Sequence, residues 1–110
     1  MQIHDAKHRL DVRKADLSGS IIDDVNLSGT TFNNVNLSGA SIENANLSGW
    51  IVQDVNLSGL RVDQANLSGV RITNANLAGT SIVGCRLDGM TIDGIAVPDL
   101  LAAYRARTTD

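Results

Sequence analysis

Large aromatic side chains are nearly missing from this sequence, which has one Phe, one Trp and one Tyr in 110 residues. Three aromatic rings are too few for the core of an ordinary globular domain of this length, so the core must be narrow and aliphatic. The chain is long enough for one domain. Its ten glycines and many asparagines favour a thin solenoid over a rounded domain.

Cysteine, charge and long apolar runs are also scarce, and each shortage argues against one kind of structure or function. The single cysteine, Cys85, excludes an intrachain disulfide. We expect its thiol to be buried and unreactive. A net charge of -3 argues against direct nucleic-acid binding. No apolar run is long enough for a membrane span, and residues 1–5 lack the apolar region of a signal peptide, so we expect a cytoplasmic protein without a membrane partner.

A repeat of five residues dominates what is present. Leu-Ser-Gly recurs every ten residues from Leu17 to Leu67, and Leu-Ala-Gly follows at Leu77. Other apolar residues lie halfway between these leucines, so every fifth residue from Val12 to Val97 is apolar, which gives eighteen central sites. The residue two before a central site is usually small or aliphatic, and all ten glycines lie two residues after one.

A period of five matches neither an α-helix nor a long strand, and it indicates one short extended segment and one turn per unit. Four segments would close a square coil of about twenty residues, with coils stacked about 4.8 Å apart. Units such as Val-Asn-Leu-Ser-Gly resemble the pentapeptide-repeat family over residues 10–99. The resemblance implies a right-handed quadrilateral β-helix. Trp50, Leu60 and Met90 depart from the family pattern because they are large for the site two before the centre.

The predicted fold class is therefore an all-β solenoid with a short C-terminal α-helical cap. We assign residues 1–9 to a polar N-terminal lead, 10–97 to the pentapeptide-repeat β-helix and 98–107 to the capping helix. Apolar residues recur at helical spacing around that last segment: Val97, Leu100, Leu101 and Tyr104. We expect this helix to cover the last coil. The alternative, taken from gyrase-binding members of the family, is that it forms a dimer contact.

Placing the units on four faces puts asparagines into two stacked columns. We expect these amides to satisfy one another and the neighbouring turns rather than to bind a ligand. The columns are Asn26, Asn46 and Asn66 on one face, and Asn36, Asn56 and Asn76 on another.

The first candidate interaction surface is acidic. Asp23, Glu43 and Asp63 stack on one face, with Asp24 beside them and Arg61 close enough to relieve part of the repulsion. A solvated face explains this pattern, and so does a surface for a protein partner.

The second candidate surface is Trp50 with Ile51. An indole overfills a site that elsewhere takes Ala, Val or Thr, so two arrangements remain open. The ring either points inward into a locally widened core, or points outward and forms a contact patch with Ile51. The outward arrangement would serve a protein partner or a second copy, which makes a homodimer one expectation.

Nothing in the sequence assembles a catalytic, cofactor or metal site. The only histidines, His4 and His8, lie in the N-terminal lead, away from the predicted scaffold. Two histidines four residues apart are also an incomplete set of metal ligands. We therefore expect a protein that is not an enzyme and holds no cofactor.

The predicted function is a non-enzymatic structural or protein-interaction module of the bacterial cytoplasm, with an unknown protein partner. The family resemblance implies an alternative, a DNA mimic that binds DNA gyrase and protects it from inhibitors. Residues 10–99 hold ten acids and five bases, a formal charge of -5. That charge is modest for a mimic, and a rod of about 20 to 25 Å would need dimerisation to imitate a useful length of duplex.

Overall fold

The computed structural model describes residues 2–5, 7, 9–14 and 16–108. The chain forms two compact units, Met1–Thr80 and Ser81–Asp110. The first unit contains six short strands: β1 (Ile21–Asp23), β2 (Thr31–Asn33), β3 (Ser41–Glu43), β4 (Ile51–Gln53), β5 (Arg61–Asp63) and β6 (Arg71–Thr73). The second unit contains β7 (Thr91–Ile92), β8 (Ile95–Ala96) and the helix α1 (Val97–Thr108).

The strands of the first unit stack in two parallel sheets, β1–β3–β5 and β2–β4–β6. Each strand pairs with the one that lies twenty residues further on, as in Ile22 with Ile42 and Ile42 with Val62. Parallel bridges between asparagines form the other two sides of each coil: Asn26–Asn46–Asn66 and Asn36–Asn56–Asn76. The predicted solenoid of stacked four-sided coils is therefore confirmed.

The corners of the coils use two kinds of residue in the left-handed backbone region. At every second corner this residue is glycine, for example Gly29 with a φ of 72°. The corners between them use Asp, Asn or Gln at the same kind of conformation, for example Asp24 with a φ of 54° and Asn34 with 55°. Asn and Asp tolerate this region better than other side chains. The glycine corners fit the turns predicted from the repeat. The second kind of corner was not predicted, although the sequence carries a signal for it, an Asp, Asn or Gln at every tenth position from 24 to 74.

The closely packed core lies in the coil formed by residues 41–60. Its buried members are Ile42, Ala45, Leu47, Trp50, Val52 and Val55. The equivalent leucine of the next coil, Leu67, is 45% exposed, whereas Leu47 is 0% exposed. Burial therefore differs strongly between repeats that have nearly the same sequence.

The second unit departs from the predicted repeat between residues 91 and 96. Strands β7 and β8 pair antiparallel, with Ile92 opposite Ile95. Asp93 and Gly94 join them, and both have positive φ angles, of 49° and 78°. A two-residue Asp-Gly loop of this kind favours a hairpin, because its backbone twist matches that of the two strands. The repeat pattern predicts Ile92 as a central site of a parallel coil, and that prediction is wrong because Asp93 and Gly94 reverse the chain here.

The predicted C-terminal helix is present and begins one residue earlier than expected, at Val97. The Val97 side chain is buried, and its backbone N–H donates to the Met90 carbonyl oxygen at 2.9 Å. Asp99 in the first turn and two arginines in the last turn complement the helix dipole. Within the described residues, no helix has the length and apolar character needed to cross a membrane. The role of α1 as a cap of the last coil stays a prediction.

Candidate interaction surface

Sheet β1–β3–β5 brings three of the predicted acidic residues into one line, which we call the acidic column. The register places Asp23 beside Glu43 and Glu43 beside Asp63. All three side chains are exposed. Neighbouring strands lie about 4.8 Å apart, so the column is about 10 Å long. The paired strands thus hold three carboxylates in a regular row. The role of this acidic column in binding stays a prediction.

The acids of the acidic column form no ion pair among the residues that the structure describes. The two ion pairs formed among the described residues involve neither Arg61 nor any acid of the column. Arg61 belongs to the same sheet but stands in register with Ser41, two positions before the column. Asp24 follows β1, and its backbone N–H donates to the Glu43 carbonyl oxygen at 3.1 Å. That bond fixes the corner next to the column.

An exposed apolar side chain also lies beside the acidic column. Ile21 is 80% exposed and occupies β1 two residues before Asp23. Because alternate residues of a strand point to the same side, both side chains share the outer face of the sheet. The predicted surface left Ile21 out, although its outward position followed from the repeat.

Trp50 is not part of an exposed surface. Its side chain is 3% exposed, so the inward arrangement of the two alternatives is the one found, and its place in the predicted contact surface was wrong. The indole Nε1 donates to the Leu27 carbonyl oxygen at 3.0 Å. The ring centroid lies 4.3 Å from that of Phe32, with the ring planes tilted by 52°. The ring is accommodated because a neighbouring coil supplies both an acceptor for its N–H and an aromatic neighbour.

Ile51 remains accessible but lies apart from the acidic column. Its side chain is 42% exposed. It belongs to β4, in register with Thr31 and Arg71 on sheet β2–β4–β6. The acidic column belongs to the other sheet, so the two predicted surfaces are carried by different sides of the coil and do not form one patch.

The asparagine columns stabilise turns. In each of them the side-chain Oδ1 accepts a hydrogen bond from the backbone N–H two residues later, at 2.9 to 3.0 Å. This is the Asx turn, in which a side chain replaces a backbone acceptor. Asp16 makes the same bond with the Ser18 N–H at 2.9 Å. That bond, together with one to the Ser18 hydroxyl, holds the pKa of Asp16 below its ordinary value because both favour the carboxylate.

The cysteine and the described histidine, which could take part in catalysis or metal binding, belong to no cluster of such residues. Cys85 is exposed, and its Sγ lies 3.4 Å from the Val83 carbonyl oxygen. The prediction of a buried thiol was wrong, since residues 81–85 form no strand that would enclose the side chain. His4 is exposed, and His8 lies outside the described residues. Over residues 2–5, 7, 9–14 and 16–108, no three His, Cys, Asp or Glu side chains are grouped closely enough to hold a metal ion.

Comparison with known proteins gives a match at the level of the family. A family model described as Pentapeptide repeats matches residues 13–49 and 53–89, with eight copies. The matched residues include five of the six strands of the first unit in full and, of β4, only Gln53. The search of curated proteins and the search of solved structures return no match.

Proposed function

Because this chain belongs to the pentapeptide repeat family, whose members are typically structural or interaction modules, we propose that it is a non-enzymatic module that binds a protein partner through its acidic column. The observation that carries the proposal is the alignment of Asp23, Glu43 and Asp63 on one sheet. The fold holds like charges side by side that would separate in a flexible chain. An arrangement of this kind favours a partner with a basic surface.

The physical support for this proposal comes from the rigidity and the solvation of the column. Parallel pairing fixes the backbone of all three residues, so a partner need not order them on binding. The carboxylates are exposed and lack an ion-pair partner among the described residues. Binding therefore does not require an existing salt bridge to be broken. The neighbouring Ile21 adds apolar area at the end of the column.

The test is to neutralise the column and compare partner binding at several salt concentrations. The triple variant Asp23→Asn, Glu43→Gln and Asp63→Asn keeps the size of each side chain. We expect it to keep the melting behaviour of the parent protein and to lose partners that the parent retains at low salt. Those lost partners should also dissociate from the parent as salt rises, because exposed charges are screened.

A matched control separates the acidic column from net charge. The variant Asp5→Asn, Asp54→Asn and Asp88→Asn removes the same formal charge elsewhere, and Asn tolerates the positive φ of Asp5 and Asp54. The proposal requires this control to bind like the parent. Equal losses in both variants would show that only the total charge matters and would refute the proposal.

The alternative function is a DNA mimic directed at DNA gyrase, and the same acidic column favours it. A supercoiling assay with and without a fluoroquinolone tests it, with the triple column variant as the control. A mimic should change supercoiling or protect the enzyme, and the variant should not. No effect over a wide concentration range would exclude this alternative. Light scattering on the parent protein tests the proposed homodimer that such a mimic would need.

A further inference from the structure

The outer face of sheet β1–β3–β5 carries two parallel columns of side chains. One is the acidic column. The other is formed by the residues two positions earlier on each strand, Ile21, Ser41 and Arg61, which pair in the same register. Alternate residues of a strand point to the same side, so both columns stand on the outside, whereas Ile42 between them is buried. The face therefore has three acids along one side and, along the other, an apolar residue, a hydroxyl and a cation.

The equivalent positions on other sides of these coils form no such row of charges. On sheet β2–β4–β6 the matching column is uncharged and consists of Asn33, Gln53 and Thr73. On one of the asparagine sides the matching column is also uncharged and consists of Ser28, Ser48 and Ser68. The charge on the outer face of β1–β3–β5 is thus a property of these particular residues and not of the five-residue repeat.

The spacing of the acidic column favours an α-helix over an extended strand as the partner element. Paired strands lie about 4.8 Å apart, so the three acids span about 10 Å along the stack. In an α-helix, residues i, i+4 and i+7 lie on one face and span about 10.5 Å. Three residues on one face of an extended strand span about 13 Å. A strand laid across the stack would instead reach only one acid of the column.

The second column determines what can stand beside the basic residues of such a helix. Ile21 is 80% exposed, so an apolar side chain of the partner can be buried against it. At the other end of the column, Arg61 belongs to neither of the two ion pairs formed among the described residues. Its guanidinium would repel a further basic residue. The basic residues of the partner are therefore confined to the acidic column, with an apolar neighbour at the Ile21 end.

We propose that this outer face binds an amphipathic α-helix of a partner protein that lies along the stacking direction of the coils and has Lys or Arg at positions i, i+4 and i+7. The inference rests on the proposed function, because it uses the same acidic column and adds the form of the partner. Each basic residue of the helix faces one acid, and an apolar residue on its flank packs on Ile21. Three acids held at a fixed interval select a helical stripe of three cations through matched charge and spacing.

Three labelled, alanine-rich peptides of about 18 residues test the helical stripe. The stripe peptide has arginines at positions i, i+4 and i+7 and a leucine on the flank of that stripe. The scattered peptide has the same composition, with its arginines on different sides of the helix. The broken peptide has the stripe sequence with a central proline, which interrupts the helix. In fluorescence anisotropy at about 20 mM salt, where screening is weak, we expect the stripe peptide to bind at least about fivefold more tightly than the other two.

Ile21→Ser tests the apolar end of the bound helix, with Ile51→Ser on the other sheet as its control. Each isoleucine is the exposed first residue of its strand, so neither change should alter the fold. We expect Ile21→Ser to weaken binding of the stripe peptide by about twofold or more. It should have no effect once the leucine of that peptide is replaced by alanine. An equal loss for Ile51→Ser would overturn the placement of the helix flank on Ile21.

The triple column variant separates this inference from the proposed function. The preference for the stripe peptide should disappear in that variant and persist in the matched control. If all three peptides bind the parent protein equally and the triple variant binds none, the acidic column accepts basic segments of any form, and only the helix inference is overturned. Failure of the stripe peptide to bind the parent protein has the same consequence, because the proposed function is tested with whole partners. If the triple variant binds the peptides as well as the parent protein does, both the inference and the proposed function are overturned.

Discussion

One substitution made at two equivalent repeat positions tests where the core lies. Leu47 is 0% exposed and Leu67, one coil further on, is 45% exposed. Truncating a fully buried leucine to alanine costs about 2 to 5 kcal/mol, because buried methyl groups are lost and a cavity remains. Reducing that range by the exposed fraction gives about 1 to 3 kcal/mol for the second site. We therefore expect Leu47→Ala to cost about twice as much as Leu67→Ala.

The two costs can be measured by urea unfolding, followed by circular dichroism and by the fluorescence of Trp50. The indole is a suitable probe because it belongs to the same buried cluster as Leu47. Equal slopes against urea in both variants would show that the same surface unfolds, so the midpoints would report free energies directly. Equal losses of stability, or a larger loss for Leu67→Ala, would refute the conclusion that the core is confined to residues 41–60.

Three further predictions concern the turns and the C-terminal helix. Asn46→Asp should change the unfolding free energy by less than about 0.5 kcal/mol, because a carboxylate also accepts the turn hydrogen bond. Leu57→Asp should abolish cooperative unfolding, because it buries a charge. Similar thermal melts for the two variants would contradict the assignment of position 46 to the outside and position 57 to the inside of the coil. The lowered pKa of Asp16 predicts a stabilisation that is present above its unfolded-state pKa and is lost as pH falls through the folded-state pKa. An NMR titration of this carboxyl in the native protein should have its midpoint below the ordinary aspartate value, and a midpoint at that value would contradict the argument. Truncation after Gly94 removes α1 and should produce oligomers or aggregates in light scattering. Truncation after Tyr104 should leave the particle size of the protein unchanged. If truncation after Gly94 instead converts a dimer into a soluble monomer, α1 is the dimer contact.

Much of the fold could be predicted because each five-residue unit specifies its own local structure and the same unit recurs along the chain. A five-residue period with one apolar centre specifies a short extended segment and a turn, and its repetition specifies stacking in register. The acidic column followed from the same arithmetic, since Asp23, Glu43 and Asp63 are twenty residues apart. The C-terminal helix was predicted because the apolar spacing changes at Val97.

Other features were not predictable from the period because they depend on which neighbours each repeat has. The orientation of Trp50 was decided by the Leu27 carbonyl and the Phe32 ring, both on a neighbouring coil. The exposure of Cys85 and the hairpin at Asp93 and Gly94 both occur in the second unit, where the parallel strand pairing of the first unit does not continue.

The sequence by itself therefore determined the repeating unit and the register in which the strands of the first unit pair, since these depend on residues within one coil. Only the tertiary structure decided how deeply each equivalent residue is buried. Leu17, Leu47 and Leu67 occupy the same position of the repeat, yet their exposures are 60%, 0% and 45%. The physical reason is that burial in a solenoid depends on packing from the coils above and below, which differs between the ends and the middle of the stack.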